Sequence, residues 1–150
     1  MIRTMLFDPD TNSGQFGGEE LISKWQESEN GVLWADIEGG DAKHDESVLA
    51  GFGIHPLAIQ DALRDRHPPK IERFDSYWFL LMRGLDADFQ GIDFRAIQLS
   101  IFVGDRFLLS RHSRRSTSAN WLFEQLKADP EWMAEGAGSL AIRLSHRLAR

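Results

Sequence analysis

Apolar and polar positions along the chain predict short strands separated by short helices. Residues 2–7 read as an opening strand, and the polar, glycine-rich stretch 8–18 reads as a loop. Residues 19–29 carry Leu21, Ile22 and Trp25 at helical spacing, and Asn30-Gly31 stops that helix. Val32, Leu33, Trp34, Ala35 and Ile37 then cluster as a buried strand broken by Gly39-Gly40. Asp41 suits the cap of a helix with Val48, Leu49 and Phe52 on one face. His55-Pro56 opens another helix, which is expected to run to about Asp65 and stop before Pro68-Pro69.

The strongest strand signals come next, at residues 76–85 and 95–103, joined by an acidic hairpin loop over 86–93. Gly104-Asp105 marks a tight turn into a third strand over 106–110. The tail is helical, first over 118–127 and again from Gly138, where Leu140, Leu144 and Leu148 recur every fourth residue. Helices before, between and after strands predict an α/β fold with a mixed β-sheet layered between helices. The last helix carries its apolar stripe up to Arg150 without a glycine cap or proline stop, so it reads as the start of something longer.

Composition narrows the function. The 150 residues suffice for one domain with its own core, and the 42% hydrophobic content is ordinary for a globular chain. The absence of cysteine excludes disulfides, cysteine-ligated metals and cysteine nucleophiles. A formal charge of −6 argues against nucleic acid as a partner. The N-terminus reaches Asp8 and Pro9 too early for a signal peptide, and no apolar run approaches the ~20 residues of a membrane span. No phosphate-binding loop, HExxH motif or nucleophile elbow is present, so an enzyme is not expected.

The segment Phe52-Gly53-Ile54-His55-Pro56-Leu57, followed by Asp61 and by Pro69-Lys70-Ile71-Glu72, resembles the CorA family of divalent-metal transporters. Trp34-Ala35-Asp36-Ile37 is similar to that family's upstream strand, residues 98–111 to its later strand pair, and residues 138–148 to the start of its stalk helix. The resemblance implies an α/β/α funnel domain over residues 1–137 and the beginning of a stalk over 138–150, with the membrane helices absent from the sequence. It further implies a homopentamer on the cytoplasmic face of the inner membrane. There the domain would regulate and assemble a Mg2+ channel by sensing intracellular divalent metal between subunits. A domain of the zinc-transporting ZntB branch and a stand-alone scaffold of the same fold are the alternatives. A hydrolase using paired carboxylates is the rival from another class.

The resemblance makes Asp61 a ligand for regulatory Mg2+, with Zn2+ or another divalent cation possible. Asp61 and Asp65 lie four apart, on one face of the expected helix, and carboxylates are the hard oxygen donors Mg2+ accepts. Opposed carboxylates across an interface would repel by about 2 kcal/mol at ~8 Å and an effective dielectric near 20, which a divalent ion would relieve. Gln60, and the basic stretch His146-Arg147 to Arg150, depart from the family's acidic pattern. His55 reads as a helix cap. Asp41, His44, Asp45 and Glu46 read as a capped, solvated first turn, and Asp86, Asp88 and Asp93 as solubilising loop residues. Arg111-His112-Ser113-Arg114-Arg115 reads as a solvated basic turn that could alternatively meet an anion. Pro68-Pro69-Lys70 reads as turn chemistry, with no direct role for Lys70.

Overall fold

The computed structural model describes residues 1–64, 67–87 and 94–148. The chain opens with strands β1 (Ile2–Asp8) and β2 (Ser13–Gly17), helix α1 (Glu20–Glu27), strand β3 (Val32–Glu38) and helices α2 (Ala42–Gly51) and α3 (Pro56–Leu63). Strands β4 (Lys70–Arg73), β5 (Tyr77–Ala87), β6 (Phe94–Gly104) and β7 (Phe107–His112) follow. Helix α4 (Thr117–Ala128), a 3-10 helix (Pro130–Glu135) and helix α5 (Ala137–Leu148) close the fold.

All seven strands join one sheet in the order β2-β1-β3-β7-β6-β5-β4. Its pairs are antiparallel except β3 with β7, which run parallel at the centre. Successive strand side chains point to opposite faces, and the sequence uses both faces. Met5, Phe7, Trp34, Leu99, Ile101 and Leu108 pack beneath α4, the 3-10 helix and α5. Leu6, Leu33, Ile37, Phe79, Phe102 and Leu109 pack beneath α1, α2 and α3. The expected mixed sheet between helical layers is therefore the observed architecture. Among the described residues no helix is long and apolar enough to cross a membrane.

Two strands escape the sequence pattern. The stretch expected as a loop over 8–18 contains β2, which pairs with β1 from Thr4↔Gly17 to Asp8↔Ser13. Its residues Ser13-Gly14-Gln15-Phe16-Gly17 are mostly exposed, so no apolar alternation announces an edge strand whose contribution is its backbone hydrogen bonds. Strand β4 is the opposite edge, four residues long and charged at three of them. The hairpin strands β5 and β6 also run further than predicted, pairing as far as Ala87↔Phe94.

Helix ends follow local chemistry. Asp41 accepts hydrogen bonds from the amides of Lys43 and His44 at the start of α2, and Ser116 accepts one from Ala119 in α4. Gly53 links α2 to α3 at φ 78°, a left-handed conformation that favours glycine. The leucine stripe of α5 lies flat on the sheet, with Leu140, Leu144 and Leu148 all buried. Close approach at its end depends on Gly84 in β5. A Cβ there would stand 2.7 Å from Leu148 Cδ1 and 3.0 Å from the Leu148 carbonyl oxygen. Gly84→Ala should therefore force the last turn of α5 off the sheet and cost about 1–3 kcal/mol, measured as a lowered urea midpoint.

Candidate functional site

Helix α3 begins with His55, whose Nδ1 accepts a hydrogen bond from the Leu57 amide at 3.1 Å, and with Pro56 in the first turn. Ala58, Ile59 and Ala62 turn inward and bury one face of the helix, while Leu57 stays exposed. Asp61 sits on its flank in the last turn, its side chain 20% exposed. The helix ends at Leu63, with Arg64 already extended, and Asp65 lies outside the described residues.

The chain returns past Asp61 as β4. Lys70 Nζ donates to Asp61 Oδ2 at 2.5 Å and also pairs with the Glu72 carboxylate. His67 Nε2 stands 3.4 Å from Asp61 Oδ1. Lys70 Nζ also lies 5.4 Å from the centre of the Phe79 ring. Its hydrogen bond to the Asp61 carboxylate, then that to Glu72, raises the Lys70 pKa above its ordinary value. Lys70 thus has a direct partner in the candidate ligand, which the reading of it as turn chemistry did not anticipate.

Hard carboxylate oxygens suit a hydrated divalent cation, and the Lys70 ammonium already occupies such a cationic position between Asp61 and Glu72. Ligand number is the shortfall. Among the described residues no group of three or more His, Cys, Asp or Glu side chains could hold a metal ion. Among the described residues Asp61 could therefore supply only part of a divalent cation's shell.

The other acidic cluster disperses. Asp41 caps α2, His44 pairs with Glu19, and Asp45 is buried against Arg111 Nε at 3.1 Å. Asp86 falls within β5, while Asp88 and Asp93 lie outside the described residues. The solvated basic turn needs correction. Arg111 and His112 are only 8% and 2% exposed, because β7 carries them into the domain, while residues 113–115 remain outside. Arg111 also donates to the Ala62 carbonyl at 3.2 Å, so one guanidinium joins β7 to both α2 and α3.

A second polar centre lies on the other face of the central strands. Asp36 accepts from Ser110 Oγ at 2.6 Å, from Arg3 Nε at 3.1 Å and from His112 Nε2 at 2.9 Å. Ser110 Oγ accepts from Trp34 Nε1 at 2.9 Å, and the Arg3 guanidinium stacks 4.2 Å from the Phe123 ring centre. Serine, histidine and aspartate invite comparison with a hydrolytic triad, but the wiring differs. Ser110 donates to Asp36 and not to His112, and all three residues are buried. The sequence signal was a lone acid inside an apolar strand, which requires a partner but does not identify it.

His112 has acceptors on both ring nitrogens: the Asp36 carboxylate at Nε2 and the Arg114 carbonyl at Nδ1. Two acceptors require two N–H groups, hence an imidazolium. Burial pulls its pKa down, but the Asp36 hydrogen bond and charge, with the Arg114 carbonyl, prevail and raise it.

A family model described as CorA-like Mg2+ transporter protein matches residues 29–148. YfjQ of Bacillus subtilis strain 168, provisionally named a metal ion transporter, is 23% identical over 127 residues, covering 85% of this chain and 39% of YfjQ. Among solved structures, full-length CmaX matches with a TM-score of 0.80 at 17% identity, over 97% of this chain and 44% of CmaX. The soluble domain of CorA from Methanocaldococcus jannaschii matches at 0.72 and 14% identity, over 97% of this chain and 55% of that one. The ZntB cytoplasmic domain from Vibrio parahaemolyticus matches at 0.64 and 14%, over 96% and 56%. The chain thus spans less than half the length of YfjQ and of CmaX.

The buried imidazolium predicts a pH dependence. Because its folded pKa is raised, the stabilisation is complete below the unfolded value of about 6.5 and is lost as pH climbs through the folded value. The urea midpoint should fall over that window, and His112→Gln should flatten the dependence. Asp36→Ala should cost about 3–5 kcal/mol at any pH at which His112 and Arg3 remain charged.

Proposed function

Because the chain belongs to the CorA-like Mg2+ transporter family, we propose that it is the cytoplasmic regulatory and assembly domain of a divalent-cation channel. In this reading the domain lies on the cytoplasmic side of the inner membrane and packs with four further copies. It senses intracellular Mg2+ at the contacts between them. The observation that carries the reading is Asp61: a partly exposed carboxylate at the end of a helix whose inner face is buried, already holding a cation in the form of the Lys70 ammonium.

Asp61 would supply a hard oxygen donor, and Asp65 is the second carboxylate proposed beside it. A bound divalent ion supplies positive charge that offsets repulsion between carboxylates of neighbouring copies. The protein residues do the remainder. Ala58, Ile59 and Ala62 anchor α3 to the sheet, and Arg111 fixes the Ala62 carbonyl one residue from Asp61. Asp61 is thereby presented on a rigid element, so metal-dependent packing between copies would bias the whole ring toward one state.

One observation favours zinc as the sensed or carried ion. His67 brings an imidazole nitrogen 3.4 Å from Asp61 Oδ1, and imidazole suits zinc better than Mg2+. A zinc-handling protein would show Zn2+ stabilising the domain where millimolar Mg2+ does not.

Mg2+ at about ten times its Kd should stabilise the chain by about 1.4 kcal/mol, and Asp61→Asn should abolish that gain. A melting curve indifferent to Mg2+ and Zn2+ would remove the sensor reading. The native gene product should carry Mg2+ into liposomes; no flux of any divalent ion would remove the transport reading.

A further inference from the structure

We propose that Lys70 is a tethered competitor for the divalent cation at Asp61, an inference that rests on the reading of Asp61 as a cation ligand. The cation must displace the Lys70 ammonium, so Lys70 lowers the affinity of the site and makes metal binding unfasten β4 from α3.

The strand geometry carries this. Lys70 and Glu72 are two residues apart in β4, so both project from the same face. Their cross-strand partners Leu81 and Phe79 are core residues on the α1–α3 side of the sheet, which fixes that face as the one Asp61 occupies. The ammonium meets Asp61 Oδ2 at 2.5 Å and the Glu72 carboxylate together, closing a bridge between the last turn of α3 and the sheet edge. Two carboxylates and one ammonium leave one surplus negative charge, which favours cation entry. With the ammonium in place, however, an incoming divalent ion would lie beside a like charge.

Lysine suits displacement. Its side chain is 26% exposed here and ends a flexible four-carbon stem, so it can rotate into solvent without backbone movement. Departure frees Asp61 Oδ2, while Oδ1 stays 3.4 Å from His67 Nε2, and it makes Glu72, 45% exposed, a carboxylate available to the same ion. The apparent affinity is then the intrinsic affinity reduced by the fraction of molecules in which the ammonium is absent. Such a site would respond only when the cation is abundant.

Calorimetric titration of the chain with MgCl2 tests this directly, comparing the unmodified protein with Lys70→Gln, Lys70→Arg, Asp61→Asn and Lys70→Gln/Asp61→Asn. Lys70→Gln should bind at least about tenfold more tightly. Lys70→Arg should show no gain, and the double variant should lose it. Equal affinity in the unmodified chain and Lys70→Gln, with binding lost in Asp61→Asn, would overturn the role of Lys70 and leave Asp61 as a ligand. Binding unaffected by Asp61→Asn, or absent throughout, would overturn both. NMR of the lysine ammonium groups gives the same test without substitution. On saturation with Mg2+ the Lys70 Nζ signal should move to the position of free lysines, and an unmoved signal would overturn the proposal even if Lys70→Gln failed to fold.

Discussion

A buried carboxylate cannot be left uncompensated, and the centre of this sheet is organised around satisfying one. Asp36 collects donors from β1, through Arg3, and from β7, through Ser110 and His112, while Arg3 continues to Asn120 of α4. The pairing is specific in register as well as in partners. Asp36 stands opposite Ser110 and Ile37 opposite Arg111 in the parallel pair. A slip of one residue would exchange the faces of Ser110 and Arg111, stranding a guanidinium beneath α4 and leaving Asp45 unpaired. Apolar packing alone tolerates many arrangements, whereas these charges accept one.

The same strand reaches the candidate cation site from beneath. Ser110 and His112 serve the Asp36 centre on one face, and Arg111 between them serves α2 and α3 on the other. Arg111 donates to the carbonyl of Ala62, so a positive charge meets the C-terminal turn of α3, where the helix dipole favours it. Asp61 lies in that turn. Its backbone is thus tied to buried polar contacts across the sheet, while its carboxylate meets Lys70 and His67 on the outer side.

Much of this was legible in the sequence for identifiable reasons. The fold class followed from the order of strand and helix patterns, and Asp41, His55 and the leucine stripe of α5 do what their residue types suggest. The two edge strands were not legible because an edge strand needs backbone partners more than an apolar face. The basic run 111–115 misled because composition cannot tell which of five neighbouring residues lies within a strand. Arg111 and His112 belong to the interior, and their partners Asp45 and Asp36 are 66 and 76 residues away. Asp61 was singled out through its motif. Its pairing with Lys70, only nine residues on, required knowing that the Pro68-Pro69 segment turns the chain back alongside α3.

The parallel contact between β3 and β7 also orders events during synthesis. Strands β1 to β3 and helix α1 can associate locally, as can the meander β4 to β7, but Asp36 and Ser110 are 74 residues apart. A chain emerging from the ribosome therefore carries an acid in an apolar strand, without its main partners, until β7 is complete. Closure of such a distant pair demands a large loss of chain entropy before any contact rewards it, which makes this step the natural bottleneck of folding. Until then β3 presents an unpaired edge, and the nascent chain is at its most vulnerable to pairing with the wrong strand.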